Sequence, residues 1–473
     1  MIHESIDSLE KAFASADVAG EGPISDTTTI RKSLIDDLVY TAVFSSDSPA
    51  KERARDLIHD LARRSGAVPA SIQSLYDAMG RGEVAGFTVP AHNIRALTYD
   101  TCRALFRAAM KNDVGPFIFE IARSEIGYSE QRPGEYAACV LAAAVKEGYR
   151  GPVFIQGDHF QASAKRFAAG EKDKEIKAIE SLIDESIAAE FYNIDIDTST
   201  LVDLSFATVD EQQRPNYENA AHFTRYIRQR QPEGIEISVG GEIGEVGKDN
   251  TTPEEFRAYM EGFLRELGDG GKGISKVSIQ TGTSHGGVPL ADGTIAKANI
   301  DFDTLRNISR IAREEYGLCG AVQHGASTLP EEVFDEFPKS GTAEIHLATG
   351  FQNMVYDHPS FPAELREKIA AWCGEHCADE RKSGETNEQF IYKSRKKALG
   401  TFKRTMWDFA PEVKDPIIQS LEDKFSFLFG KLGVKNTRDV IDRFFPADAL
   451  LAMPHARAQA PLELSAIPEG EGE

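Results

Sequence analysis

The sequence has no apolar run long enough to cross a bilayer. A membrane-spanning helix needs roughly 20 consecutive apolar residues, and no stretch of the 473 residues approaches that. Basic residues are in the minority, 53 Lys and Arg against 75 Asp and Glu, which leaves a net charge of −22. A binder of phosphate backbones needs a basic footprint, so nucleic acid is not an expected partner. Cysteine is scarce and odd in number, five in all. Cys102, Cys139 and Cys319 lie in apolar stretches and read as core thiols. Cys373 and Cys377 are spaced C-x3-C, which fits neither a redox nor a zinc motif. The opening MIHESIDSLEKAF carries acids early and lacks the apolar core of a signal peptide, so the cytoplasm is the expected compartment. No internal repeat is visible. One Gly-rich stretch, GEIGEVGK (241–248), matches neither a phosphate loop nor a dinucleotide fingerprint. Glu242 and Asp249 stand where a phosphate loop needs Gly and Ser or Thr.

What remains is a chain with 41% apolar residues, enough for a sizeable core, and 27% charged residues. Residues 1–82 read as a helical extension: SLIDDLVYTAVF and ARDLIHDLARR repeat apolar residues at helical spacing. From 83 to 358 the texture changes. Eight short apolar runs alternate with amphipathic stretches: GFTVPAHN, GPFIFEIA, GPVFIQGDH, FYNIDIDT, EISVGGEIG, KVSIQTGTS, CGAVQHGAS and TAEIHLATG. Buried parallel strands read as near-continuous apolar runs, and helices supply the crossovers between them. Eight such units predict an α/β fold, the (β/α)8 TIM barrel. Residues 359–450 read as a second helical extension. Residues 451–473, rich in Ala, Pro and Glu, are expected to be a disordered tail.

Polar residues close these runs: His92 and Asn93, Ser124, Asp158 and His159, Asp197, Glu242, His285, His324 and His346. In this barrel the active site lies at the C-terminal ends of the strands, so these residues are expected to converge on one rim. His159, His285 and His324 end three different runs. Three neutral imidazoles with an open position are the composition of a catalytic zinc site; three hydrogen-bonded core histidines are the alternative. Asp158 cannot share the direction of His159 in a regular strand. The strand is therefore expected to have ended there, leaving Asp158 to act on substrate as proton donor or acceptor. GTSHGG (282–287), HGAS (324–327) and ATG (348–350) would turn backbone N–H groups toward an anion, or serve as ordinary turns. Glu242, Glu245 and Asp249 cluster after the fifth run, as a metal ligand or proton relay or as solvated loop charges. Lys393, Arg395, Lys396, Lys397, Lys403 and Arg404 form a basic stretch. It reads as a solvated helix face or as a reach over an anionic substrate, in the same or a neighbouring subunit.

Taken in order, these segments resemble the class II, zinc-dependent fructose-bisphosphate and tagatose-bisphosphate aldolases. The resemblance spans residues 86–355 and is carried by the D-H, G-T-S-H-G and H-G-x-S motifs. It implies one Zn2+, or another divalent ion, held by His159, His285 and His324. It implies Asp158 at the reacting hydroxyl, and Gly286, Gly325, Ser327 and Thr349 around a substrate phosphate. Ser124 and Asn93 join them as candidate substrate contacts. Asp197 and Glu242 fall near the metal, as orienting groups or ligands of a second ion. A carbon–carbon lyase of carbohydrate metabolism is implied, with a small phosphorylated sugar as substrate and further copies of the chain in a homo-oligomer. The match departs at the eighth strand, where the family's Asn-x-Asp-Thr-Asp is His346-Leu347-Ala348-Thr349-Gly350. It departs again after His285, where Val288-Pro289 replaces Tyr-Lys. The loop after the fifth strand is shorter, so Asp249 and His346 are the candidates for the second proton-transfer residue. The expected reaction is retro-aldol cleavage of a phosphorylated ketose through a metal-stabilised enediolate. Two other readings stay open: an epimerase of a ketose or keto-sugar acid using the same chemistry, and a non-catalytic aldolase-like subunit.

Overall fold

The computed structural model of the chain describes all residues except 1, 16–19, 21, 25, 245–248, 283–299 and 455–473. Most of the tail falls outside the described residues, as do His285, Gly286 and Glu245. A three-residue strand, β1 (Ala67–Pro69), comes first. Each of the eight apolar runs then holds one strand: β2 (Val89–Asn93), β3 (Ile118–Ala122), β4 (Gly151–Gln161), β5 (Asn193–Asp197), β6 (Ser238–Gly244), β7 (Lys276–Ile279), β8 (Ala321–Gln323) and β9 (Glu344–Leu347). From β2 onward each strand pairs in parallel with the next, and β9 returns to β2, so the eight close into a barrel. Every residue of β2, β3 and β5 is buried. Side chains fill the barrel on one face of each strand and helices cover the other, which is why the runs show no alternation. β1 extends the sheet outside the barrel, pairing Ala67 with Gly151 at the start of β4.

The amphipathic stretches form the outer helices. Helix Pro253–Leu267 shows the local logic. The Thr252 side chain accepts from the Glu255 amide while Glu255 returns a bond to the Thr252 amide, and Pro253 occupies the first helical position. Such a cap contributes about 1 kcal/mol. The eighth outer helix comes late. Thr349–Tyr356 is short, and the chain crosses the C-terminal face of the barrel before Pro411–Lys431 packs against Thr98–Lys111. The Thr88 amide just before β2 donates to the Leu432 carbonyl at 2.9 Å, and Lys424 pairs with Glu331 at 2.7 Å, so this helix closes the ring between β9 and β2. His92 belongs to this outer layer. Its ring lies 5.4 to 5.8 Å from those of Phe351, Phe425 and Phe429. Burial lowers its pKa to about 3, so it is a neutral core histidine.

On the opposite flank, helices Ile35–Phe44 and Ser48–Arg64 pack on the alanine-rich helix Pro133–Glu147. One continuous apolar cluster reaches from Leu9 to Leu450. All five cysteines are unpaired and buried. Among the described residues no helix is long and apolar enough to cross a membrane.

Candidate active site

The end of β4 sets the site. The strand does not stop at Asp158: it continues to Gln161 through a bulge between Gly157 and Phe160. Within the bulge His159 takes φ +39, a left-handed conformation. A bulge re-aims successive side chains, and both Asp158 and His159 line the cavity at this end of the barrel. His159 Nε2 lies 2.8 Å from His324 Nδ1 at the end of β8. The other nitrogens of these two rings are engaged in orienting contacts. His159 Nδ1 meets Asp197 Oδ2 at 3.1 Å and Glu242 Oε2 at 3.0 Å, and His324 Nε2 meets Ser278 Oγ at 2.8 Å. Strands β4, β5, β6, β7 and β8 each contribute to this arrangement. An imidazole whose far nitrogen is held by a carboxylate or hydroxyl is the arrangement that orients a metal-ligating histidine.

The barrel interior below these rings is charged, where apolar branched side chains ordinarily fill the layers. Lys276 Nζ on β7 contacts Asp195 Oδ2 at 2.9 Å, Gln156 Oε1 at 2.8 Å and the Glu344 carboxylate. Glu344 also accepts from the Tyr76 hydroxyl. His346 on β9 spans the interval to the rim. Its Nε2 lies 2.6 Å from Glu344 Oε1, and its Nδ1 lies 3.0 Å from Glu120 Oε2 and 3.2 Å from Asp158 Oδ1. Burial alone would depress both His159 and His346. The carboxylates of Asp158 and Glu242 around the first, and of Glu120 and Asp158 around the second, outweigh it and hold both well above the usual histidine value. A pocket end that stabilises imidazolium to this degree also suits a metal cation.

The sequence matches the profile of the class II fructose-bisphosphate aldolases over residues 73–407. The chain belongs to that family. No curated protein matches it significantly. Among solved structures, it is similar to a Sinorhizobium meliloti 1021 protein described as a "probable tagatose 6 phosphate kinase", at 14% identity and TM-score 0.51, covering 78% of this chain and 97% of the other. It is also similar to the fructose-bisphosphate aldolase of Campylobacter jejuni, at 17% identity and TM-score 0.46, covering 78% and 97%. A third is the YdjI aldolase of Escherichia coli K12, at 14% identity and TM-score 0.39, covering 72% and 97%.

As a class II aldolase family member, the chain carries a cavity of about 540 Å³ over the strand ends. Asp158, His159, His324, Gly325, Ser327, His346, Thr349 and Ser124 all line it. Ser327 Oγ accepts from the Gly350 amide at 3.0 Å, holding the loops after β8 and β9 together. Asn93 stands one step back: its amide donates to Glu125 Oε2 at 2.6 Å, and its carbonyl accepts from Arg95 Nε at 3.0 Å. Asp249 is exposed and is not among the lining residues.

The opposite wall is cationic, and sequence reading missed most of it. Arg95, Arg123 and Arg166 come from the barrel; Lys382, Lys393, Lys396 and Lys397 come from the segment that crosses the mouth. Arg95 pairs with Glu125 at 2.5 Å, and Arg123 and Arg166 share Glu175. Lys393 and Lys397 pair with Glu385 and Glu380. Burial, with the Arg95 guanidinium beside it, brings Lys396 down to about 8. The remaining members of the basic stretch turn away: Arg395 to Asp357, Lys403 to Glu135 and Arg404 to Asp408.

Proposed function

We propose that this chain is a zinc-dependent aldolase that cleaves or forms a phosphorylated ketose. The observation that carries the reading is the convergence of His159, His324 and Asp158 on a cavity whose far wall is cationic. Zinc suits the two facing imidazole nitrogens, with His285 as the third ligand that the family implies. Bound there, it supplies Lewis acidity for the negative charge that develops when the carbon–carbon bond breaks.

The protein's own groups do the rest. Asp158 removes the proton from the hydroxyl at the bond to be broken and returns it in the synthetic direction. His346, 3.2 Å from Asp158 Oδ1, fixes the direction of that carboxylate. Ser327 accepts from the Gly350 amide, so its own O–H is left to donate to a phosphate, beside Gly325 and Thr349. At the distal end Lys396 and Arg95 receive a second anionic group of the substrate. Holding both ends fixes the reacting carbons between them. The enediolate left by the break takes up one proton to leave as a ketone; His346, on the cavity lining, is the candidate donor for it, whereas Asp249 is exposed and not among the lining residues.

Metal analysis of purified variants tests the site. Replacing His159, His285 or His324 with Ala should each remove most bound zinc together with activity. Full zinc occupancy in all three variants would contradict the assignment.

A further inference from the structure

One part of the cationic wall has no role in the reaction as proposed. Arg123, in the helix after β3 (Arg123–Tyr128), and Arg166, in the short helix after β4 (Ala164–Ala168), meet the same carboxylate, Glu175. All three residues line the cavity. Glu175 is fully buried, and Arg123 is buried beside it. The Arg123 guanidinium donates to both Glu175 oxygens and, at 2.6 Å, to the Gln161 carbonyl. The Ser163 amide adds a bond to Glu175 Oε1 at 3.0 Å. Burial would raise the Glu175 carboxyl, but the Arg123 guanidinium outweighs it and holds the group below the usual carboxylate value. One arginine is therefore enough to keep this buried carboxylate ionised and in place.

Arg166 is a second cation on the same carboxylate. Its Nη1 lies 3.2 Å from Glu175 Oε2, and among the described residues its Nε and Nη2 make no hydrogen bond. Nε and Nη2 are the two parallel donors along one edge of the guanidinium, the edge that takes a carboxylate bidentately. The Arg166 side chain is 33% exposed against 0% for Glu175, so this edge is turned from the buried carboxylate toward the cavity. Two guanidiniums against one carboxylate leave one positive charge. Glu171, another acid on that stretch, pairs with Lys174 at 2.9 Å and is not among the lining residues. A single charge on a flat two-donor edge matches a carboxylate more closely than a phosphate, which carries about −1.5 to −2 at neutral pH. The placement says which half of a substrate this would be. Arg166 follows the end of β4, the strand that presents Asp158 to the same cavity. Asp158 acts at the hydroxyl that becomes the aldehyde.

We propose that Arg166, steadied by Glu175 and Arg123, is a carboxylate subsite, and that the aldehyde half of the substrate carries an acid group there in addition to the anion received by Lys396 and Arg95. The substrate class is then a phosphorylated ketose with a carboxylate on its aldehyde half. Assigning the group to that half rests on the aldolase reading; the subsite itself does not.

Calorimetric titration of the zinc-loaded full chain with two unreactive probes tests it. The probes are 3-phosphoglycerate and glycerol 3-phosphate, which differ only in a carboxylate against a hydroxymethyl group. 3-Phosphoglycerate should bind about tenfold or more tightly, the effect of hydrogen bonds to a charged group. Arg166→Gln should erase that preference and leave the binding of glycerol 3-phosphate unchanged. Arg166→Lys, which keeps the charge and loses the fork, should lose most of it. Lys396→Met should weaken both probes alike, and metal-free His324→Ala should keep the preference in full. Equal binding of the two probes by the unaltered protein overturns the proposal. So does a preference undiminished in Arg166→Gln or Arg166→Lys, or one lost in His324→Ala, which would place the carboxylate on the metal. Should Arg166→Gln fail to fold, Arg166→Lys and the unaltered protein still decide. The titration needs no turnover. A protein that shows the preference and cleaves no ketose contradicts the aldolase reading alone, and one that cleaves ketoses without the preference contradicts the subsite alone.

Discussion

Asp158 and Lys396 stand at opposite ends of the cavity, and each supports a separate expectation. Asp158→Ala should keep the fold and lower turnover by about 10²- to 10⁴-fold, the range for a lost acid–base group; circular dichroism beside steady-state kinetics checks it. Near-normal turnover would move proton transfer elsewhere. Lys396 carries charge below about pH 8, where burial and Arg95 have placed it. As the ammonium that receives the distal anion, it should hold substrate well below that pH and weakly above it. KM should therefore rise as pH passes about 8. Lys396→Arg, charged throughout, should flatten the rise, and Lys396→Met should raise KM at every pH with a smaller effect on kcat. Sequence distinguished these two residues unequally. Asp158 ends an apolar run and could be read at once. Lys396 sits in a basic stretch that reads first as a solvated helix face, and only tertiary structure turns it inward while Arg395 turns to Asp357. His92 misled for the same reason: a polar residue at a strand end faced the outer helices.

The eight runs mapped onto eight strands because both faces of each are buried, so burial itself writes the signal. The bulge in β4 was not legible. Asp158 and His159 both reach the cavity because the strand is irregular, not because it has ended. Gly157 makes that possible: a Cβ there would lie 2.4 Å from the Phe160 ring, which is fully buried. Gly157→Ala should cost about 1–3 kcal/mol by overpacking and displace Asp158 and His159 together. A lowered denaturation midpoint with loss of metal affinity is the expected pair of results; an unchanged metal affinity would separate the bulge from the site. β1 was also missed, since three residues are too short to show a period. The late eighth helix, Pro411–Lys431, reads in sequence like any other amphipathic stretch. Only the contacts of Phe425, Phe429 and Leu432 show that it closes the ring.

Across the molecule, the barrel is unusual in carrying charge at its centre. Lys276 bears on this most directly. Its ammonium holds Glu344 down, to about 2, against the effect of burial, and partly offsets the burial that raises Asp195 to about 6. Lys276→Met would leave these carboxylates without their buried counter-charge. Removing one partner of a buried ion pair costs about 3–5 kcal/mol, so chemical denaturation should show a loss of that order. A loss near zero would mean that the interior charges are compensated in another way. None of this network was visible in sequence, where Lys276 merely opens one apolar run and Glu344 sits third in another. The family resemblance pointed to His159, His324 and Asp158, which line one cavity at the strand ends, while His285 lies outside the described residues; it carried no information about the charges beneath. The two ends of the cavity act together in the proposed reaction: a metal-assisted break of a carbon–carbon bond in a ketose held by its anionic groups. The most direct measurement is mass-spectrometric product analysis of zinc-loaded protein given a panel of phosphorylated ketoses. Two carbonyl fragments, one a triose phosphate, are expected, and both should be abolished by chelator and by His324→Ala. Conversion of a ketose to its epimer without fragments, or fragmentation that persists without metal, would contradict it.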